Sequence, residues 1–220
     1  MIFDSLFKKT KGSQKQITKP DVKPFPDIRL LVIADLHVCF IDDMYDLLKA
    51  MEKYEYDCVL LLGDIFVDDV KQIVSQTDKP CYYVLGNHDY VGQNNDIKGL
   101  IDLDGEIATV NGVRIGGFSG GTRYKPGNFC MRTEDEAQDI LSGLDAVDIF
   151  VSHDSPYHLM STNTSHGGFQ AITDYLKRVK PAVHIFGHHH WREDMVVNDI
   201  REICIYKAAI VTPDEIKYIL

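Results

Sequence analysis

Five times along this chain an apolar, strand-forming run ends on a short loop that carries Asp, His or Asn. Leu30-Leu31-Val32-Ile33-Ala34 leads into Asp35-Leu36-His37, and Val59 to Leu62 into Gly63-Asp64. Cys81 to Leu85 leads into Gly86-Asn87-His88-Asp89, Val147 to Ser152 into His153-Asp154, and Val183 to Phe186 into Gly187-His188-His189-His190. β-Branched and aromatic residues followed by a breaker place the polar groups at the carboxyl ends of strands. In open α/β sheets that edge is where ligands bind. Were the strands parallel in one sheet, the five tips would converge on one site.

Between these runs the pattern alternates with helical stretches. Met44, Leu47, Leu48 and Met51 fall on one face of a helix over 42–52, and 67–75 is a shorter helix. Asn111-Gly112 between two apolar runs predicts a tight hairpin. Thr133 with Glu136 three residues on predicts a capping box that opens a helix to about Ser142. Residues 169–179 form the next helix, closed by Pro181, and 195–197 and 203–206 read as strands around a turn at Asn198-Asp199. The expectation is one α/β domain, 27–220, with two β layers flanked by helices. Residues 1–26 stand apart as a basic, proline-containing tail. Six lysines against two aspartates make it +4, which leaves −14 for the remainder of a chain of net charge −10. Pro20, Pro24 and Pro26 stiffen its end into an extended linker.

That acidic balance argues against broad nucleic-acid or anionic-membrane binding, with a site holding cations as a local exception. No apolar run approaches membrane-spanning length, and the N-terminus lacks the apolar core of a secretory signal. The five cysteines, Cys39, Cys58, Cys81, Cys130 and Cys204, have no paired spacing. They read as buried free thiols in a reducing compartment, which places the chain in the cytoplasm. His158, His166 and His184 have no motif around them and read as structural or solvated.

Asp35, His37, Asp64, Asn87, His153, His188 and His190 make seven candidate metal ligands, all oxygen or imidazole donors. Such mixed donors suit Mn, Fe or Zn better than Ca. Seven exceed what one tetrahedral site needs and would serve two metals about 4 Å apart that share one carboxylate. Asp64, alone at its strand tip, is the natural bridge. His189 is expected to point away from the metals of its neighbours.

Asp35-x-His37, Gly63-Asp64, Gly86-Asn87-His88-Asp89, His153 and Gly187-His188-x-His190 together resemble the motif set of the calcineurin-like metallophosphoesterase superfamily, over about residues 28–206. Gly120-Gly121-Thr122-Arg123-Tyr124 and His153-Asp154-Ser155-Pro156 resemble its prokaryotic members. The resemblance implies a four-layer α/β/β/α sandwich and a dinuclear centre. By it Asp35, His37 and His190 hold one metal, Asn87, His153 and His188 the other, and Asp64 bridges. The implied cofactors are two divalent or trivalent ions, with Mn foremost for activity. The implied substrate is a phosphoester: a nucleotide, a phosphodiester or a phosphoprotein.

Two cations would bind the phosphate oxygens and lower the pKa of a bridging water, so that a hydroxide attacks in line. His88 is then placed to stabilise or protonate the leaving oxygen. Arg123 either contacts a phosphate oxygen or forms a surface salt bridge. In one respect the chain departs from the superfamily. Many of its phosphatases read Gly-Asp-x-x-Asp, the last Asp orienting the catalytic histidine, but Val67 occupies that position and Asp68 follows it. Either Asp68 or Asp89 takes the role, or neither does. The alternative to an enzyme is a non-catalytic, metal-binding interaction scaffold on the same fold. Such relatives tend to lose the histidine of the Asn-His pair or some ligands, and this chain keeps His88 and all seven.

Overall fold

A computed structural model describes residues 22–38, 41–160 and 166–220. In chain order the elements are β1 (Leu30–Ala34), α1 (Ile41–Lys53), β2 (Cys58–Leu61), α2 (Val67–Ser75), β3 (Cys81–Tyr83), β4 (Leu100–Asp102), β5 (Ile107–Val110), β6 (Val113–Phe118), β7 (Gly121–Thr122), β8 (Met131–Arg132), α3 (Glu134–Gly143), β9 (Ile149–Ser152), α4 (Gln170–Val179), β10 (Val183–Phe186), β11 (Glu193–Val197), β12 (Ile200–Cys204), β13 (Lys207–Val211) and β14 (Ile216–Tyr218). Two six-stranded sheets run in the orders β14-β13-β1-β2-β3-β4 and β11-β12-β10-β9-β6-β5.

Period-two burial makes these sheets the inner layers of a four-layer sandwich. Leu30, Val32 and Ala34 of β1 join Ile149 and Val151 of β9 and Val183 and Ile185 of β10 in the core between the sheets. The alternate residues Leu31 and Ile33 pack with Leu47 and Met51 of α1 and Val70 and Ile73 of α2. Phe150 of β9 faces the other way, onto Ala137 and Leu141 of α3 and Ile172 and Tyr175 of α4. The result is the expected α/β/β/α architecture. The capping box of α3 has both its arms, and Asn111-Gly112 turns β5 into β6 with both residues at positive φ.

The five tips do not share one sheet. β1, β2 and β3 supply three from the first sheet, and β9 and β10 supply two from the second. They converge because neighbouring tip-bearing strands are parallel within each sheet and the two carboxyl edges meet across the inter-sheet core. Strand β3 also stops at Tyr83, short of the expected Leu85. Beyond it Leu85 N–H donates to Ser119 Oγ at 2.9 Å and Leu85 O accepts from Gly120 N at 2.6 Å, so the chain leaves its own sheet to stitch onto the loop after β6. β12 begins at Ile200, earlier than expected, because Asn198 and Asp199 alone make the turn, both at positive φ. Phe25, assigned by sequence to the tail, packs against the inter-sheet core, where burying its ring outweighs a solvated linker. Cys58, Cys81, Cys130 and Cys204 are buried free thiols; Cys39 lies outside the described residues. Among the described residues no helix is long and apolar enough to cross a membrane.

Candidate metal centre

Asp35 and Asp64 occupy equivalent places, each just past a parallel strand, and each adopts the left-handed conformation, with φ of 58° and 57°. His188 and His190 do so too, with φ of 69° and 51°. That conformation is strained for non-glycine residues, and such strain gathers where function needs it. Here it turns the side chains across the sheet edge. Each carboxylate is then pinned through one oxygen. Asp35 Oδ2 accepts from His188 N at 2.9 Å, across the two sheets, and Asp64 Oδ1 accepts from His88 N at 2.8 Å.

Close backbone approach makes this possible. A Cβ at Gly86 would lie 2.1 Å from Asp64 Oδ1, and one at Gly187 would lie 2.9 Å from Asp35 Oδ2. The glycines that precede Asn87 and His188 are therefore part of how the carboxylates are held.

The second oxygen of each carboxylate faces imidazoles. Asp35 Oδ1 is 3.7 Å from His190 Nε2, and Asp64 Oδ2 is 3.9 Å from His37 Nδ1 and 3.6 Å from His153 Nε2. Two triads of ligand-type atoms result, Asp35–His37–His190 and Asp64–His153–His188. His37, Asp64 and His88 make a third group, which brings His88 closer to ligand duty than the sequence suggested.

The tautomers follow from the partners. His153 Nδ1 lies 2.7 Å from the Leu62 carbonyl and must donate to it, so Nε2 presents a lone pair. That lone pair faces Asn87 Oδ1 at 3.0 Å, whose amide is turned by Nδ2 donating to Tyr124 Oη at 3.2 Å. Acceptors converging in this way call for a cation, a proton on Nε2 in the free chain or a metal ion in its place. Burial opposes charge on His153, but Asp64, Asp35 and the Leu62 carbonyl prevail and raise its pKa. Burial also pushes Asp35 up to about 7, and its Oδ1 is buried with no hydrogen-bond partner. An orphaned carboxylate oxygen is costly and aims at something absent from the chain itself. The residues present therefore fit a metal.

Neither expected partner orients His88. Asp68 is exposed and pairs with Lys71, while Asp89 Oδ2 accepts from the backbone N–H of both Asp64 and Gly86 at 2.8 Å, and its Oδ1 accepts from Gln93. Asp89 thus holds the loops of two candidate ligands. The exposed His88 ring instead stacks on His37 at 5.0 Å. Burial, with His37 and Lys125 nearby, lowers its pKa against the pull of Asp64. Arg123, from which either a phosphate contact or a salt bridge was expected, forms the salt bridge: Nη2 donates to Glu136 at 2.8 Å and to Met131 O at 3.0 Å.

Several residues at the site were not among the seven candidate ligands. Asp154 is fully buried next to His153, accepts from Thr122 N and Oγ1 and from Ser155 N, and stands 4.0 Å from His188 Nε2. Burial raises its pKa. His166, read as structural or solvated, stacks on His188 at 4.7 Å. His184 is structural: its ring bridges Ser152 Oγ at 2.7 Å and Glu202 Oε2 at 2.6 Å, tying β9, β10 and β12 together below the tips. His189 Nε2 meets Ser155 Oγ at 2.9 Å. Its pKa falls to about 4, mainly through burial.

A family model for calcineurin-like phosphoesterases matches residues 28–192. No curated protein matches the chain in sequence. Among solved structures, the Thermus thermophilus protein TT1561 superposes with a TM-score of 0.66 at 12% identity, over 89% of this chain and 100% of that one. A protein described as a novel archaeal phosphodiesterase gives 0.54 at 13% identity, over 86% and 98% of the two chains. The phosphopantetheinyl hydrolase of Mycobacterium tuberculosis gives 0.56 at 12%, over 83% and 91%. At these identities the likeness concerns the fold.

Proposed function

The chain belongs to the calcineurin-like phosphoesterase family, and from that premise we propose that it is a hydrolase of phosphate mono- or diesters working at a dinuclear metal centre. The observation that carries the proposal is the pair of abutting triads, with one pinned carboxylate, Asp64, within 4 Å of an imidazole on either side. In this reading Asp35, His37 and His190 hold one ion, Asn87, His153 and His188 the other, and Asp64 is shared. Mn, Fe or Zn suits these donors. When bound, such ions offset the negative charge of a phosphate group and make water a nucleophile near neutral pH.

The chain's own residues do the rest. Asp89 fixes the backbone N–H groups of Asp64 and Gly86, and Tyr124 fixes the face that Asn87 presents. His88, anchored by its backbone N–H and stacked on His37, stabilises or protonates the leaving oxygen; burial lowers its pKa, so its protonated ring gives up a proton more readily. Two fold neighbours named as a phosphodiesterase and a phosphopantetheinyl hydrolase suit this reading. A cytoplasmic setting belongs to it as well, since buried free thiols suit a reducing compartment.

The test is turnover of 4-nitrophenyl phosphate and bis(4-nitrophenyl) phosphate with added Mn²⁺, Fe²⁺ or Zn²⁺, with metal content measured on the same sample. Metal-dependent release of nitrophenolate is expected. A fully metal-loaded chain that hydrolyses neither ester would point to the interaction scaffold instead.

A further inference from the structure

Beside the centre lies a cavity of about 510 Å³ with a mixed apolar, aromatic and acidic lining. Leu159, Met160 and Met195 give it an apolar wall, Trp191 an indole, and Glu193 a carboxylate. We propose that this cleft is a subsite for a flat, nitrogen-bearing heteroaromatic ring on the phosphoester, as in a nucleotide. The inference rests on the phosphoesterase reading and narrows its substrate.

Continuity with the centre is the first argument. His166 and His189 also line the cavity; His166 stacks on His188, and Trp191 directly follows His190 in the chain. A group bound there is tethered next to the residues assigned to both ions. The second argument is the indole. Trp191 is 60% exposed and lines the cavity, so its indole is accessible to a stacking partner there. Thioethers at Met160 and Met195 make favourable contacts with aromatic rings, so both materials suit a π face. The third is Glu193. A carboxylate beside a bound alkyl chain would lose hydration for nothing, whereas the N–H groups of a base would offset that loss.

The single tryptophan makes the test direct. Its fluorescence is titrated with AMP and, separately, with ribose 5-phosphate, on the chelator-treated chain and again with Zn²⁺. AMP should change the signal saturably, and ribose 5-phosphate, which has the phosphate but no base, should not. Equal responses to the two, or no response to AMP, overturn the subsite. Kinetics give a second measure, since thymidine 5′-(4-nitrophenyl) phosphate and methyl 4-nitrophenyl phosphate share one leaving group. Trp191→Ala should lower kcat/KM about tenfold or more on the nucleoside ester and by no more than about twofold on the methyl ester, because a lost stacking face costs only the ligand that uses it. An equal fall on both esters overturns the proposal. Turnover of aryl esters without an AMP response sinks the subsite alone; an AMP response without any turnover sinks the enzymatic reading instead.

Discussion

In the triad of Asp64, His153 and His188 the side chains are 1%, 0% and 3% exposed, whereas across Asp35, His37 and His190 exposure rises from 0% through 18% to 42%. The sealed triad is held by the protein's own hydrogen bonds: Leu62 O on His153, Asp89 behind the Asp64 backbone, Tyr124 on the neighbouring Asn87. The open triad has less support at its outer member, since His190 rests on the ring of Tyr206 at 5.2 Å. Prearranged ligands lose little freedom when an ion binds, while exposed ones must be ordered at that moment. On the function proposed above, the sealed half would hold an ion, and the open half would exchange one and receive substrate.

In the proposed dinuclear reading Asp64, a member of the sealed triad that also lies 3.9 Å from His37, is shared by both halves, so its change should have the largest effect. Asp64→Asn removes the negative charge just where two cations would repel each other. Activity should fall further than the roughly 10–100-fold cost of losing a mere supporting residue, with both ions depleted by elemental analysis. Near-stoichiometric retention of two ions in the variant would break the view that the halves share this carboxylate.

His88 stands at the junction without closing either half. His88→Ala should keep its metals and lose about 10²–10⁴ in rate. The loss should be greatest on alkyl esters, whose alkoxide needs a proton, and least on nitrophenyl esters. The measurement is kcat/KM on both esters with metal content checked on each sample. An equal loss on the two would leave His88 a charge-stabilising group or, in line with its place beside His37 and Asp64, a ligand.

Asp89→Asn probes the support of the sealed half. It should weaken metal binding by roughly 10–100-fold, as for other residues one step removed from an ion. Metal titration of the folded variant, judged by its circular dichroism, would show this. Unchanged affinity would mean that the sealed half owes nothing to Asp89.

The smallest effect concerns protons. Burial holds Asp35 near pKa 7, and His153 is also raised, so below pH 7 an entering cation must displace protons from both halves. Raised pKa values mean more protons bound to the free chain at low pH. Metal binding should therefore weaken from pH 8 to pH 6 and release more protons at pH 6. Calorimetry in buffers of different ionisation enthalpy measures that release. Equal release at the two pH values would count against Asp35 and His153 as ligands.

Much of this arrangement was legible beforehand. The apolar runs, the glycines after them and the hydrophobic stripe of α1 are local signals, and strands and helices formed where they lay. The α3 capping box and the Asn111-Gly112 turn are complete within a few residues, so nothing distant could overrule them. Strand β13 was missed because Lys207–Val211 carries no motif; it is a strand because it pairs with β1. The surroundings of the site were illegible for a similar reason. Nothing within a few residues of Asp89 says that it accepts from Asp64 N, 25 positions away, or that His153 leans on Leu62, 91 positions away.

What the sequence by itself determined is the chemistry: which donors stand at which strand tips, and hence a candidate site of oxygen and imidazole donors without thiolate. Backbone propensity and turn residues suffice for that, because they act over a turn or a strand. Only the tertiary structure decided that three tips come from one sheet and two from the other, that one triad is sealed and the other open, and that Asp89 props the loops of Asp64 and Gly86 and leaves His88 alone. Those outcomes depend on how two sheets pack through the core between them. Their edges meet at a depth fixed by side chains far apart in the chain, such as Val32, Val151 and Ile185.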